Sequence, residues 1–171
     1  MLRLVKPTKK YEKSWREAVE EFRKDSKTIK LWEVLGNPDD LDGIIRNARL
    51  HSQDKNLPKG WVPYDLLWLV DGDEIVGIAS IRHKLNSFLL KVGGHIGYEV
   101  KPSKRGCGYA NKILQLSLKR FEKLGIEKIL VTAFDNNVAS WKAIEKNGGK
   151  LKNRVKVENE KDTTRRYWIK L

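Results

Sequence analysis

Apolar side chains recur every three to four residues in two stretches near the N-terminus, which is the spacing of an amphipathic helix. One stretch runs from Tyr11 to Lys24. The other runs from about Asp40 to His51 and follows the helix-start signal Asn37-Pro38. Before both, Leu2 to Val5 alternates as a short strand does, and Pro7 ends it. The first third of the chain is therefore predicted to hold one strand and two helices.

Short apolar runs separated by turn residues follow in the middle of the chain. Leu66 to Val70 and Ile75 to Arg82 flank Asp71-Gly72, which predicts a β-hairpin. Gly93 to Val100 is the next predicted strand. The stretch from Ser52 to Pro63 mixes turn formers with a tryptophan, so we expect an ordered surface loop that covers a site.

Helical spacing returns from Ala110 to Leu124, and a glycine follows as a cap. Ile126 to Phe134 is apolar enough for a central strand, and Val138 to Lys146 is predicted to be a short helix. Lys150 to Val157 and Arg165 to Leu171 are predicted to form a final hairpin. Because strand, helix and strand follow one another here, we expect a right-handed parallel crossover.

The composition is typical of one folded domain without disulfides. The chain has 171 residues, 40% of them hydrophobic, which is enough for a substantial core. Cys107 is the only cysteine, so no intramolecular disulfide can form. The N-terminal apolar stretch is too short for a signal peptide, and no segment approaches the roughly 20 apolar residues of a membrane span. A cytoplasmic protein with no membrane partner is expected.

The net charge of +13 suggests nucleic-acid binding, because clustered lysines and arginines gain affinity by releasing phosphate counterions. However, basic residues alternate with acidic ones from Lys9 to Lys30 and from Lys119 to Lys128, as on solvated helix faces. A basic nucleic-acid-binding domain is therefore the weaker hypothesis.

The segment from Gly93 to Ala110 has the pattern of a strand, a glycine-rich basic loop and a helix start. Gly106 and Gly108 let the backbone approach a ligand closely, and the first N–H groups of the helix point at an anion placed there. Lys104 and Arg105 add full charges. The segment predicts a phosphate-binding loop.

Two common phosphate motifs do not fit this loop. The P-loop pattern G-x-x-x-x-G-K-[ST] does not occur in the sequence. The Rossmann pattern G-x-G-x-x-G fits at Gly106 and Gly108 but meets Asn111 at its third glycine. Glu127 lies about 20 residues further on, yet it opens the next predicted strand, whereas the ribose-binding acid ends one. Dinucleotide binding is therefore rejected.

The remaining pattern is R/Q-x-x-G-x-G/A, which Arg105-Gly-Cys-Gly-Tyr-Ala110 fits. It resembles the acetyl-CoA-binding motif of the GNAT N-acetyltransferase superfamily. A second segment, Asp135 to Gly149, is similar to the family signature N-x-x-A-x-x-L-Y-E-K-x-G-F. The resemblance extends from Asp65 to Leu171. Within it, Gly93-Gly-His-Ile-Gly-Tyr98 and the Arg-Arg-Tyr-Trp ending look like a subgroup of predicted acetyltransferases.

The resemblance implies one acetyltransferase domain over residues 1–171. It implies an α/β (α+β) fold with a mixed, mostly antiparallel sheet that is splayed at a parallel strand pair and flanked by helices, the acyl-CoA N-acyltransferase fold. It also implies acetyl-CoA as cosubstrate and direct transfer, in a ternary complex, to a primary amine of an unidentified acceptor.

The resemblance carries several cofactor contacts over to this chain. The family binds pyrophosphate through backbone N–H groups at the positions of Arg105, Gly106, Cys107, Gly108, Tyr109 and Ala110. Val100 matches the residue whose N–H polarises the thioester carbonyl. Asn137 matches an asparagine that contacts the pantetheine arm or orders the splayed strands, although capping of the next helix is an alternative role.

His95 and Glu99 are the candidate bases, because strand alternation places both on one face, about 13 Å apart. At that distance they cannot form a hydrogen-bonded pair. Each also has a simpler interpretation: a satisfied core or edge histidine for His95, and an ion pair with Lys101 or Arg82 for Glu99.

The family tyrosine that protonates the leaving thiolate is replaced by Ile144. The residues that could donate this proton instead are Tyr98, Tyr109 and Tyr167, unless the thiolate leaves unassisted. Tyr98 lies between the two candidate bases in the predicted strand and is counted among the catalytic candidates.

A covalent intermediate and a metal site are both disfavoured. Phosphates at the glycine loop would cover Cys107, and no histidine adjoins it in sequence. His51 and His83 lack partners at metal-ligand spacing, so no metal is predicted. The tryptophans assigned to core or pocket wall are Trp15, Trp32, Trp61 and Trp68.

Two rival functions remain open from sequence. A non-catalytic acyl-CoA-binding or sensing module is favoured by Ile144 in place of the usual acid, and the nucleic-acid-binding domain is the second rival. The resemblance places the acceptor pocket among the N-terminal helices, the loop around Trp61 and the last hairpin near Arg165 and Arg166. The sequence names neither the acceptor nor the oligomeric state, and the last hairpin could pair across a dimer.

Overall fold

Strands and helices alternate along the chain in the computed structural model, which describes residues 1–27, 31, 36–156 and 162–171. Its strands are β1 (Leu2–Val5), β2 (Tyr64–Asp71), β3 (Glu74–Arg82), β4 (Ile96–Val100), β5 (Lys128–Phe134), β6 (Lys150–Lys156) and β7 (Thr163–Lys170). They form two antiparallel sheets, with the orders β1-β2-β3-β4 and β5-β7-β6. Two predictions fall on residues outside the described ranges: Trp32, assigned to the core or a pocket wall, and Val157, assigned to the last hairpin.

Four longer helices flank these sheets within the described ranges. They are α1 (Glu12–Lys24), α2 (Leu41–His51), α3 (Tyr109–Lys123) and α4 (Val138–Lys146). Both β1 and α4 have the predicted bounds, and α1 begins one residue later than predicted because a 3-10 turn, Lys9–Tyr11, precedes it. None of the helices in the described parts of the chain is long and apolar enough to cross a membrane.

The core has two halves, one on each face of the first sheet. On one face, Trp15 of α1 stacks on Trp68 of β2 with ring centroids 5.0 Å apart, and Ile44 of α2 joins the same cluster. On the other face, Ile113 and Phe121 of α3 belong to a cluster that continues under the second sheet. This α/β architecture, with sheets flanked by helices, confirms the predicted fold class.

The predicted strand from Gly93 to Val100 was too long. Leu89–Gly93 forms a π-helical turn that begins where Leu89 N–H donates to Asn86 Oδ1, at 2.8 Å. Gly94 then adopts a positive φ of 63°, and the strand begins only at Ile96. His95 therefore precedes the regular strand, and its side chain need not follow the alternation of β4.

Candidate active site

The loop between β4 and α3 exposes a row of backbone donors. Gly106 and Gly108 both have a φ of +79°, and no described atom lies within 4 Å of the position that a Cβ would take on either. Gly108 is the N-cap of α3 and makes no side-chain cap. Among the described residues, the N–H groups of residues 106–111 have no backbone acceptor. This helix end therefore offers the donors and the positive dipole end that an anion needs.

The basic side chains of this loop already have carboxylate partners. Arg105 Nη2 lies 2.6 Å from Asp25 Oδ2 at the end of α1, and Lys104 Nζ lies 2.7 Å from Glu74 Oε2 in β3. The guanidinium of Arg105 lowers the pKa of Asp25, and the ammonium of Lys104 lowers the pKa of Glu74. A phosphate at this loop would therefore meet backbone N–H groups first and would compete with these carboxylates for the side-chain charges.

Further contacts fix the loop to α1. The N–H and Oγ of Ser103 both donate to Glu21, at 2.9 and 3.0 Å. The buried ammonium of Lys101 lies 3.2 Å from Glu21 and 3.0 Å from Glu74. The first residues of the loop are thus held rigidly, which keeps the following N–H groups in a fixed position.

The side chains of the remaining predicted loop residues do not anchor the loop to α1. Cys107 is exposed, with its Sγ 3.8 Å from the carbonyl oxygen of Arg105. Tyr109 donates its hydroxyl hydrogen to Asp71 at 3.1 Å, and Ala110 is half-buried in the first turn of α3. Their backbone groups, rather than their side chains, are available to a ligand.

Beyond the loop, β4 and β5 lie side by side but form no ladder. They are joined at one point, where His95 N–H donates to Leu130 O at 2.7 Å and Leu130 N–H donates to His95 Nδ1 at 2.9 Å. From there the two strands belong to different sheets. The gap between them opens towards Val100 and Phe134, next to the glycine loop.

The backbone N–H of Val100 points into this gap. Arg82 N–H donates to His95 O at 2.8 Å and Lys101 N–H donates to Val76 O at 3.0 Å, so the odd-numbered residues of β4 bond to β3. In an antiparallel pair, the residues between them direct their backbone groups to the other side. Val100 is one of these, and its N–H therefore faces the gap towards β5.

His95 is buried at the junction of the two sheets. Its ring lies edge-on to Phe121 and Trp168, with centroids 6.0 and 6.5 Å away, which differs from the placement beside Glu99 that alternation predicts. Burial lowers the pKa of His95 to about 4, and the nearby Arg82 contributes in the same direction. The imidazole is therefore neutral at pH 7. Its Nδ1 lone pair accepts the Leu130 N–H, so the hydrogen is on Nε2.

Tyr98 faces the gap and bonds to a residue that sequence reasoning missed. Its hydroxyl lies 2.8 Å from Ser140 Oγ in the first turn of α4. Burial raises the pKa of Tyr98, and the hydrogen bond with Ser140 partly offsets this effect. Ser140 stands three residues after Asn137, where the family signature has alanine, and this spacing was the only signal for it in the sequence.

Asn137 caps α4, as the alternative interpretation predicted. Its Oδ1 accepts a hydrogen bond from Ser140 N–H at 3.1 Å, while the residue itself is exposed. The cap uses the oxygen of the amide. Within the described residues, its Nδ2 donors make no hydrogen bond.

The other hydroxyl candidates are placed elsewhere. Ile144, at the usual tyrosine position, is fully buried against Gly149. The hydroxyl of Tyr167 donates to Glu145 at 3.0 Å, and that of Tyr109 is used by Asp71. Tyr98 is therefore the one of the three tyrosines whose hydroxyl lies between β4 and α4.

Glu99 is buried on the opposite face of β4, the face that α1 covers. It pairs across the ladder with Ile78, and its Oε2 accepts the N–H of Leu31 at 3.3 Å. A cavity of about 240 Å³ adjoins this face, and the side chain of Leu31 lines it. The side chain of Glu99 thus lies on the far side of β4 from α3, and its contact with the cavity is through Leu31.

The cavity agrees only in part with the predicted acceptor pocket. Trp61, which is 39% exposed, lines it as expected for the loop that covers a site. Arg165 instead pairs with Asp135, and Arg166 donates to the carbonyl oxygen of Leu90 at 2.7 Å. In the described part of the chain, no three histidine, cysteine or acidic residues group as metal ligands would.

Comparison with known proteins agrees with this geometry. The family described as "Acetyltransferase (GNAT) domain" matches residues 2–150. No curated protein gives a significant match.

Solved structures of low identity share the fold. The microcin C7 self-immunity acetyltransferase MccE, in complex with acetyl-CoA and AMP, superposes with a TM-score of 0.71 at 14% identity, over 99% of this chain and 92% of that chain. RimL, a ribosomal L7/L12 α-N-protein acetyltransferase in complex with coenzyme A, has a TM-score of 0.70 at 14% identity, over 99% and 94%. A GNAT-family acetyltransferase from Bacillus anthracis has a TM-score of 0.64 at 22% identity, over 99% and 94%.

Proposed function

The chain belongs to the GNAT acetyltransferase family, and from this premise we propose that it moves an acetyl group from acetyl-CoA to a primary amine directly, with both substrates bound together. The observation that carries the proposal is the gap between β4 and β5. It opens beside the row of free N–H groups at the start of α3 and contains both a backbone donor and a phenol.

The glycine loop suits the pyrophosphate of acetyl-CoA. A phosphate can approach Gly106 and Gly108 closely because nothing described lies near their Cα atoms on the side of the missing Cβ. The N–H groups of residues 106–111 supply the hydrogen bonds. The pantetheine arm would then lie between the strands, within reach of the Nδ2 donors of Asn137.

Acetyl-CoA supplies an activated acetyl thioester, and the N–H of Val100 would polarise its carbonyl group. A fixed backbone donor aimed at the carbonyl oxygen stabilises the negative charge that develops there as the amine attacks. Because Val100 is the last residue of β4 and precedes the anchored Lys101, this donor needs no rearrangement during the reaction.

We assign proton donation to the thiolate to Tyr98, with Ser140 as its partner. A phenol has an ordinary pKa near 10, which is close to that of a thiol, and burial raises it further, so Tyr98 remains protonated until the thiolate forms. Ser140 orients the hydroxyl and can return the hydrogen bond after the proton has moved.

Of the two predicted bases, Glu99 is the better supported. His95 carries hydrogen on Nε2 and uses Nδ1 for the Leu130 N–H, so it has no lone pair left for an amine without breaking the junction of the sheets. Glu99 adjoins the cavity on the acceptor side through Leu31. It would accept the amine proton either directly or through a water molecule.

Thiol release from acetyl-CoA, measured against a panel of primary amines, tests this proposal. We expect double-reciprocal lines that intersect, and kcat reduced by about 10²- to 10⁴-fold in Glu99→Gln and in the Tyr98→Phe, Ser140→Ala double variant. Cys107→Ser is the control and should keep full activity. Parallel lines together with an inactive Cys107→Ser would instead show a covalent intermediate and contradict the proposal.

A further inference from the structure

Arg82, the last residue of β3, is a buried cation without a buried anion beside it. Its Nη1 donates to the carbonyl oxygens of Gly93 and Gly94, at 2.9 and 3.0 Å. Among the described residues, no carboxylate pairs with its guanidinium. Burial lowers the pKa of Arg82 to about 10, and the side chain is therefore still charged at pH 7.

The free side of this guanidinium faces the cavity of about 240 Å³. Polar groups of Ser80 and Asn86 line the cavity beside Arg82, and the rings of Trp61, Tyr64 and Phe88 form the apolar wall. Tyr64 is held in place because its hydroxyl lies 2.8 Å from Nδ1 of the buried His51. The chamber thus combines an aromatic wall with one positive charge that no carboxylate of the described residues neutralises.

An unpaired buried charge is costly, and buried charges in proteins are therefore generally paired. A guanidinium with one nitrogen fixed by backbone carbonyls still presents Nη2 and Nε, a planar fork that suits a carboxylate. Because Asn86 is itself fixed by donating to Gly60 O at 2.9 Å, the polar end of the cavity is preorganised for such a group.

The carboxyl group of Glu99 belongs to the same face of the sheet as Arg82. Arg82 Nη2 lies 3.1 Å from the place that a Cβ on Gly97 would occupy, so the guanidinium covers Gly97. Glu99 is two residues further along β4, so its Cα lies about 7 Å from that of Gly97. A small molecule whose acid group binds Arg82 would therefore extend its amine along this face towards Leu31 and Glu99.

We propose that this cavity selects an amino acid as acceptor: a small primary amine whose carboxylate binds Arg82 and whose apolar side chain packs on Trp61, Tyr64 and Phe88. The inference rests on the proposed acetyl transfer for the fate of the amine, but the binding site stands on its own residues. The positive charge of Arg82 disfavours polyamines and other polycationic acceptors, because it would repel them.

Calorimetric titration with matched ligands tests the selection, with and without coenzyme A. The ligands are phenylalanine, phenylalanine amide and the phosphonate analogue of phenylalanine, which differ only in the acid group. We expect phenylalanine to bind about ten- to a hundredfold more tightly than its amide, as for a hydrogen bond to a charged group. An amide or phosphonate that binds equally well or better would overturn the carboxylate assignment, as would millimolar phenylalanine and leucine that both fail to bind.

Variants of a neighbouring residue avoid disturbing the bonds of Arg82 to Gly93 and Gly94. Ser80→Asp places a carboxylate beside the guanidinium, because Ser80 lines the cavity and pairs with Gly97, which the guanidinium covers. Ser80→Asp should abolish the preference for phenylalanine over its amide. Ser80→Asn introduces a side chain of the same shape without the charge and should keep the preference. Lys84→Gln removes an exposed cation outside the cavity and is expected to change nothing; an equal loss in Lys84→Gln would show a general charge effect and overturn the site.

The same ligands separate this inference from the proposed function. Selective binding of phenylalanine without thiol release would sustain the acid-binding cavity and contradict acetyl transfer to this ligand. Thiol release with neutral amines, combined with no preference for acids in the titrations, would support the transfer and overturn the cavity assignment.

Discussion

A single side chain, His95, determines where the two sheets join. By accepting the Leu130 N–H it does what the carbonyl group of a neighbouring strand would otherwise do, while its own N–H donates back to Leu130. Because the imidazole takes the place of a backbone acceptor, β4 and β5 do not continue as a hydrogen-bonded ladder. Beyond His95 no ladder of backbone hydrogen bonds joins the two strands, and the gap at Val100 lies there.

The neutral state of His95 predicts a pH-dependent stability. Its pKa is about 4 in the folded protein and about 6.5 in the unfolded chain, so between these values the unfolded chain binds a proton that the folded protein does not. The free energy of unfolding should therefore fall as the pH is lowered, by about 2 kcal/mol at pH 5. Urea unfolding at pH 7.5 and pH 5 measures this loss.

His95→Asn is the matched variant, because an amide oxygen can accept the Leu130 N–H without titrating. Its free energy of unfolding should change by about 2 kcal/mol less than that of the parent between the two pH values, whatever its stability at pH 7.5. An identical pH dependence in both proteins would mean that His95 is not held neutral at the junction.

Residues whose role depends on the backbone could be read from the sequence, but those whose role depends on distant partners could not. Gly106 and Gly108 indicate by their identity alone that a ligand can approach the backbone closely, and both have positive φ. Ser140 and Arg82 were not recognised as site residues, because the first depends on Tyr98 and the second on a cavity that other elements build. Lys104 and Arg105 were expected to add full charges to the loop, and the sequence did not show that carboxylates of β3 and the end of α1 pair with them.

At the level of elements, Asn137 at the start of α4 has a structural role, and we propose a binding role beside it. Its Oδ1 caps the helix, and we propose that its Nδ2 reaches the pantetheine arm. Asn137→Ala should lower the free energy of unfolding by about 1 kcal/mol through loss of the cap. Asn137→Ser keeps a capping oxygen and should retain the stability, while weakening acetyl-CoA binding by about two- to tenfold through loss of the amide donor.

Urea unfolding and calorimetric titration with acetyl-CoA distinguish these two roles. If Asn137→Ser bound acetyl-CoA as tightly as the parent, Asn137 would be a cap alone.

The bounds of most elements followed from periodicity, and the departures have local causes. Helix α4 begins and ends as predicted because an asparagine precedes it and two glycines follow it. The start of β4 was predicted too early because Gly93 and Gly94 are compatible with either a strand or a turn. A hydrogen bond from Leu89 N–H to Asn86 stabilises a helical turn there. The strand pattern does not include these two residues, so the sequence did not indicate the bond.

For the whole molecule, the order of strands and helices predicted the architecture, while the division into two sheets came only from the structure. Hydrophobic patterns determine which face of β3 or β5 is buried, and both faces of the first sheet are indeed covered. They do not show that β4 and β5 share only one pair of hydrogen bonds. Of the residues that line the cavity, the sequence indicated only Trp61, since Arg82 and Leu31 come from separate parts of the chain.

A thermal-shift titration with acetyl-CoA tests the central claim, that the glycine loop binds this cosubstrate. At 100 times the dissociation constant, the ligand should stabilise the protein by about 2.7 kcal/mol, which raises Tm by about 5–10 °C for a chain of this size. Gly108→Glu should abolish the shift, because a side chain and a negative charge enter the phosphate site. Gly125→Glu is the matched control, since Gly125 also has a positive φ and open space but lies at the far end of α3. A saturable shift in the parent and in Gly125→Glu, but not in Gly108→Glu, is the predicted result; no shift in the parent at millimolar acetyl-CoA, or an undiminished shift in Gly108→Glu, would contradict it.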